Sequence, residues 1–149
     1  MSTLYKSLAN VYEAMYKTFI NYDEEFRVYQ QLLHKYNCDA VFEIGCGTGN
    51  LARSFADDGF NYIGLDSSGD MLNIEKNTLA CNFLQGPMQD FVSDKPTKSA
   101  IVTGRIISYL PTNKDVFDSF ITINKNLQVP GILCFDFIDA NKFIPLISG

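Results

Sequence analysis

Val41-Phe42-Glu43-Ile44-Gly45-Cys46-Gly47-Thr48-Gly49-Asn50 joins an apolar run and an acid to three glycines on alternate positions, and a helical pattern starts at Leu51. Such a stretch reads as a buried parallel strand feeding a glycine-rich turn and the start of a helix. Glycine reaches positive φ cheaply and has no side chain, so a ligand can lie against bare backbone there. The helix that follows is expected to offer unpaired N–H groups and the positive end of its dipole to an anionic ligand group. Tyr62-Ile63-Gly64-Leu65-Asp66 then forms a second strand that closes on an acid. A carboxylate there can accept hydrogen bonds from both hydroxyls of a ribose. The two segments together point to a ligand that carries a nucleoside.

Around this pair the chain alternates strand and helix. Leu4, Leu8, Val11, Met15 and Phe19 repeat at helical spacing and predict a first amphipathic helix over 3–19. Asp23, Glu24 and Glu25 place acids at the start of a second, with Phe26, Tyr29, Leu33 and Tyr36 on one face. Strands are expected near 40–45, 61–66, 81–85, 99–103 and 131–138, and helices over 49–57, 69–78 and 113–127. Thr112 and Asp115 have capping-box spacing, and Val116, Phe120, Ile123 and Leu127 give that last helix a core face. Gln128-Val129-Pro130-Gly131 reads as a turn. The continuous apolar run Ile132-Leu133-Cys134-Phe135 after it predicts burial on both faces. The expected fold is an α/β, doubly wound, Rossmann-like parallel sheet of about five strands in the order 3-2-1-4-5. One domain is expected over 1–149, with a helical cap at 1–38 and the α/β core at 39–149.

Composition narrows the function. The chain has 149 residues and a formal charge of −5, which argues against a nucleic-acid groove, since that needs a basic face. No apolar run approaches the roughly 20 residues needed to span a bilayer, and residues 1–6 lack a signal-peptide core. A cytoplasmic protein without membrane contact is expected. Cys38, Cys46, Cys81 and Cys134 are scattered with no C-x-x-C pair, so reduced thiols are expected and no metal site. His34, the single histidine, falls at a helix end beside Lys35 and reads as a solvated, dipole-compatible residue.

Glu43-Ile-Gly-Cys-Gly-Thr-Gly49, coupled to Gly64-Leu-Asp66-Ser-Ser-x-x-Met71-Leu72, resembles a class I S-adenosylmethionine-dependent methyltransferase. The resemblance is closest to small-molecule members such as the sugar-amine N,N-dimethyltransferases, and it runs from about Tyr12 to Phe137. Phe83-Leu-Gln-Gly-x-Met-Gln-Asp-Phe91, Ile107-Ser-Tyr-Leu110 and Pro130-Gly-Ile-Leu-Cys-Phe-Asp136 extend it. It implies methyl transfer from S-adenosyl-L-methionine to a small-molecule acceptor such as an amine, with S-adenosyl-L-homocysteine released. It also implies a set of cofactor contacts. Gly45, Cys46 and Gly47 would back the adenosyl and methionine parts, and Glu43 would organise the turn. Asp66 would hold the ribose, Ser67 and Met71 would flank the adenine, and Met88 and Gln89 would address the base edge. Tyr12, Tyr16 and Tyr22 would close over the methionine end, where an electron-rich ring attracts a sulfonium, and Tyr12 and Tyr16 are the candidate catalytic residues. Arg105, just past the fourth strand, would meet an acidic group on the acceptor.

Each assignment has a structural counterpart. Asp66 can cap a helix, Met71 can be ordinary core, any of the eight tyrosines can simply pack, and Arg105 can be a surface residue. Two departures from the family pattern stand out. Pro87 occupies a position where relatives commonly carry an acid facing the adenine amino group, and it offers neither side-chain acceptor nor N–H. The chain also stops soon after the expected fifth strand, so that strand is expected to present an open edge for a homodimer or a partner chain to cover. These departures keep a second reading in view, a cofactor-binding module without catalysis. A nicotinamide enzyme ranks below both, because the dinucleotide fingerprint wants glycine where Asn50 stands. An amine acceptor must lose a proton to attack, and a tyrosine, Asp90 or water could take it.

Overall fold

A computed structural model describes residues 21–47, 49–69, 72, 81–139 and 141. The predicted helices over 3–19 and most of 69–78 lie outside the described residues, as do Tyr12, Tyr16 and Met71. Helix α1 spans Tyr22–Lys35. Asn21 caps it by accepting the Glu24 amide at 3.2 Å, and three acids in the first turn and His34 and Lys35 in the last complement its dipole. His34 also bonds Asp58 at 3.0 Å, and Gln30 donates to the same carboxylate. Tyr29 and Leu33 of the expected face are buried, whereas Tyr36 follows the helix as its C-cap and is 47% exposed.

Five strands follow: β1 (Ala40–Ile44), β2 (Asn61–Asp66), β3 (Asn82–Gln85), β4 (Thr97–Val102) and β5 (Leu127–Phe135). All pair in parallel in the order β3-β2-β1-β4-β5, as the alternation of strand and helix predicted. Helix α2 (Ala52–Asp57) joins β1 to β2, and α3 (Asn113–Lys125) joins β4 to β5. Central β1 feeds two cores. Val41 packs with Leu33 and Phe55 on one face, while Phe42 and Ile44 pack with Ile123 and Val102 on the other. Because the chain turns opposite ways from β1 and β4, a crevice opens at the carboxyl ends of these neighbouring strands.

Helix α3 carries the expected capping box, with Thr112 and Asp115 bonded reciprocally. It ends two residues early. Asn126 is buried and holds the β3–β4 connection, accepting the Ser93 amide at 2.6 Å and donating to the Phe91 carbonyl at 2.8 Å. Leu127, expected on the helix, therefore starts β5 instead.

Strand β5 corrects two expectations. Gln128–Gly131 is not a turn before the strand but an irregular segment within it. Pairing passes from Thr97 opposite Leu127 to Ser99 opposite Ile132, so three extra residues are accommodated where Pro130 can donate no ladder bond. Nor is the apolar run buried on both faces. Ile132, Leu133 and Cys134 are half-buried and Phe135 is 41% exposed, because β5 lies at the sheet edge. Among the described residues no strand pairs with its outer side.

Candidate active-site cleft

The turn after β1 shapes the crevice. Gly45, Gly47 and Gly49 all adopt left-handed conformations, with φ of 77°, 58° and 81°, a region that side chains other than glycine seldom occupy. Gly45 is tighter still: a Cβ there would stand 1.9 Å from Ile106 Cδ1. Several of the turn's described donors are already used. The Gly45 and Cys46 amides both donate to the Leu65 carbonyl, at 2.7 and 3.0 Å, and Gly49 donates to the Cys46 carbonyl. The following helix starts later than expected. Helix α2 begins only at Ala52, is six residues long, and bonds its first amide to the Gly49 carbonyl. Among the described residues the amides of Gly45, Cys46, Gly47 and Gly49 are engaged, and there the turn offers a ligand its shape.

Asp66 ends β2 beside this turn. Its Oδ2 accepts the Gly47 amide at 2.9 Å and its Oδ1 the Ser68 amide at 2.8 Å. Burial raises its pKa, and the amides of Ser68, Gly47 and Ser67 oppose that rise. Glu43 sits one layer deeper, 2% exposed. Among the described residues no loop N–H donates to it. It accepts two hydroxyls, from Tyr62 at 2.5 Å and Thr103 at 2.6 Å, and so ties β1 to both of its neighbours. Burial pushes its pKa up to about 7 despite those two hydrogen bonds. The Cys46 thiol is also buried, with a pKa well above the ordinary thiol value, and reads as an inert core group.

These residues border one open cleft of about 1230 Å³. At its β2 end stand Asp66, Ser67, Met88 and Gln89, and at its centre Glu43, Gly45, Cys46 and Gly47. Met88 is buried against Phe42, Ile44 and Leu65, while Pro87 is exposed. Gln85 donates to the Ser67 carbonyl at 3.2 Å. Asp90 is exposed and does not border the cleft.

The β5 end is built differently. Arg105 borders it in a left-handed conformation, φ 57°, and its amide donates to Asp136 Oδ1 at 2.7 Å. Asp136 follows β5, and Glu25, Tyr22 and Tyr29 face the same space from α1. Burial first, then mutual repulsion, raises the Glu25 pKa, and burial raises that of Asp136. Sequence reasoning missed Glu25, Tyr29 and Asp136. Glu25 passed as a dipole-matching acid and Tyr29 as a core residue. Asp136 had a usable signal, since it is an acid at the carboxyl end of a strand, as Asp66 is. Thr103 and Tyr62 gave none, because their partner Glu43 is met only across the sheet.

A family model described as a methyltransferase domain matches residues 41–127. The protein YqeM of Bacillus subtilis (strain 168) is 26% identical over 138 residues, which cover 89% of this chain and 55% of YqeM. Among solved structures, an S-adenosylmethionine-dependent methyltransferase from Clostridium acetobutylicum ATCC 824 superposes with a TM-score of 0.82 at 18% identity, over 93% of this chain and 59% of that one. CalS10, an amino pentose methyltransferase from Micromonospora echinaspora solved with bound S-adenosylmethionine, gives 0.79 at 20% identity, over 87% and 56%. The chain thus spans little more than half the length of these proteins.

Proposed function

The chain belongs to the methyltransferase domain family, and from that membership we propose that it transfers a methyl group from S-adenosyl-L-methionine to an amine on a small-molecule acceptor. The observation that carries this reading is the pairing of Asp66 with Gly47 on the wall of a cleft that continues to Asp136. Asp66 presents a carboxylate to a ribose beside a turn with no side chains in the way, and Met88 and Gln89 border the same end for a base. Ser67 is proposed for the adenine and Tyr22 for the methionine end, and the sequence resemblance alone proposes Met71 beside Ser67 and Tyr12 and Tyr16 beside Tyr22.

A volume of about 1230 Å³ exceeds the roughly 300–1,000 Å³ of a drug-sized ligand site, so there is room for cofactor and acceptor together. The cofactor supplies a methyl group on a cationic sulfur, already activated for displacement. The chain has to orient the two partners and exclude water. CalS10 is an amino pentose methyltransferase, and its similarity supports an amine acceptor here. The acidic charge speaks against nucleic acid. Four free cysteines fit a reducing, cytoplasmic setting, and no helix of the described residues is long and apolar enough to cross a membrane. Residues 1–149 are proposed to act as one cofactor-binding domain, with a second copy or a partner chain pairing with the outer side of β5.

Calorimetric titration with S-adenosyl-L-methionine, set beside Asp66→Ala, tests the reading. Binding that collapses in the variant, with S-adenosyl-L-homocysteine released when an amine is added, is the expected result. A folded protein that binds no cofactor would overturn it.

A further inference from the structure

Asp66 and Asp136 close strands that stand three places apart in the sheet, β2 and β5. At about 4.8 Å per place this separates the two ends of the cleft by about 14 Å. A nucleoside seated on Asp66 therefore leaves the β4–β5 end open. That end carries Glu25 and Asp136, and neither carboxylate forms an ion pair among the described residues. Asp136 is met only by neutral backbone amides, those of Arg105 and of its own residue, and among the described residues no side chain donates to Glu25. Arg105 lies close enough to act on both acids, yet its guanidinium bonds neither.

A second and independent feature lies beneath them. Tyr29 is 6% exposed and borders the cleft, and its hydroxyl has no hydrogen-bond partner among the described residues. The charges that bear on that hydroxyl belong to Asp136, Glu25 and Glu43, which border the cleft too. Buried hydroxyls are nearly always satisfied, and one that is not, on a cleft wall, waits for a ligand atom.

Resting on the methyltransferase reading above, we propose that Glu25, Tyr29 and Asp136 seat the acceptor and select a small molecule that arrives as a positively charged amine. Two carboxylates that feel the Arg105 charge but bond no cation among the described residues suit an ammonium, which has only donors, and the Tyr29 oxygen provides one more acceptor. Before attack the ammonium N–H bond breaks and its proton passes to one of the carboxylates, forming an O–H bond. The freed lone pair then forms the N–C bond to the methyl carbon as the S–C bond breaks and its electron pair stays on sulfur. Carboxylates whose proton affinity is lifted by burial are suited to receive that proton.

The test is an amide-resolved NMR titration of the full 149-residue chain, with and without S-adenosyl-L-homocysteine. The probes are small primary amines, glucosamine among them, against the alcohols of the same skeletons. Amines are expected to shift residues 25, 29, 105 and 136 at roughly tenfold lower concentration than the alcohols, the size of one charge-assisted hydrogen bond. Glu25→Gln with Asp136→Asn should erase that preference while S-adenosyl-L-methionine affinity stays intact. Asparagine retains an oxygen for the Arg105 amide, and an unchanged melting temperature controls for folding. Equal response to amines and alcohols, no response to any amine, or a preference that survives in the double variant would overturn the proposal. So would a double variant that loses cofactor affinity and keeps its amine preference, since the carboxylates would then serve the cofactor. Failure of the natural chain to bind S-adenosyl-L-methionine would instead count against the methyltransferase reading, and the titration without cofactor would still decide the amine preference.

Discussion

The Gly47 amide donates to Asp66 Oδ2 at 2.9 Å, so the acid that ends β2 also clamps the glycine turn that ends β1. Ligand contact and turn geometry are therefore coupled at one carboxylate. Asp66→Ala leaves two buried amides without their acceptor and should cost about 1–3 kcal/mol in urea unfolding. Asp66→Asn keeps one amide bonded and should cost less. Both should weaken S-adenosyl-L-methionine binding by roughly tenfold or more, because each removes a charged acceptor from the ribose. Full cofactor affinity in the asparagine variant would detach the ribose role from this residue.

Two glycines with similar backbone separate strain from crowding. Gly45 and Gly59 have φ of 77° and 85°, but an added Cβ meets Ile106 Cδ1 at 1.9 Å at the first and nothing within 4 Å at the second. Gly59→Ala should lose about 1 kcal/mol from backbone strain alone and bind cofactor normally. Gly45→Ala should lose more, on the order of 2–3 kcal/mol, because Ile106 must also move. It should bind cofactor poorly, since the turn wall shifts with it. Thermal unfolding and calorimetry on the pair check both halves.

The strand order and the cofactor end were legible because their signals are local. Apolar runs, alternate glycines and a strand-terminal acid each lie within a few residues, and Thr112 with Asp115 announced its own cap. What failed was non-local. The run Ile132–Phe135 reads the same in a central and an edge strand, and only the sheet order makes it half-exposed. Asn126 ends α3 because of partners more than 30 residues away, at Phe91 and Ser93. The amides of the glycine turn looked available because their acceptors, the Leu65 carbonyl and the Asp66 carboxylate, belong to the next strand. Glu25 and Asp136 are far apart in sequence and gain meaning only where α1 and the end of β5 border one cleft.

Glu43 makes stability depend on pH in a definite sense. Its pKa is pushed up to about 7 in the folded chain, against 4.5 for an ordinary glutamate carboxyl. Between these values the folded state holds the proton more tightly, so stability falls as pH rises from 4.5 through 7. The contribution is fully present below 4.5, and the loss is on the order of 3 kcal/mol across that window. Glu43→Gln, uncharged and able to bond the Tyr62 and Thr103 hydroxyls, should remove this component. Urea unfolding of both proteins at several pH values isolates it as the difference between two curves. Parallel curves would mean that Glu43 titrates near its ordinary value.

Tyr29→Phe should separate folding from binding. Burial above all, then the charges of Asp136, Glu25 and Glu43, hold the hydroxyl protonated. It is a desolvated donor without a partner among the described residues, and such a group costs stability. Phenylalanine keeps the ring that packs against the β1 face of the core and deletes only that group. The variant should therefore be as stable as the natural chain or gain about 1 kcal/mol. Amines should bind it more weakly, because the acceptor beneath Glu25 and Asp136 is gone. A residue that only packs would move neither reading in that combination. Loss of stability on deleting the hydroxyl would show that it has a partner in the folded chain and is not held open for the acceptor.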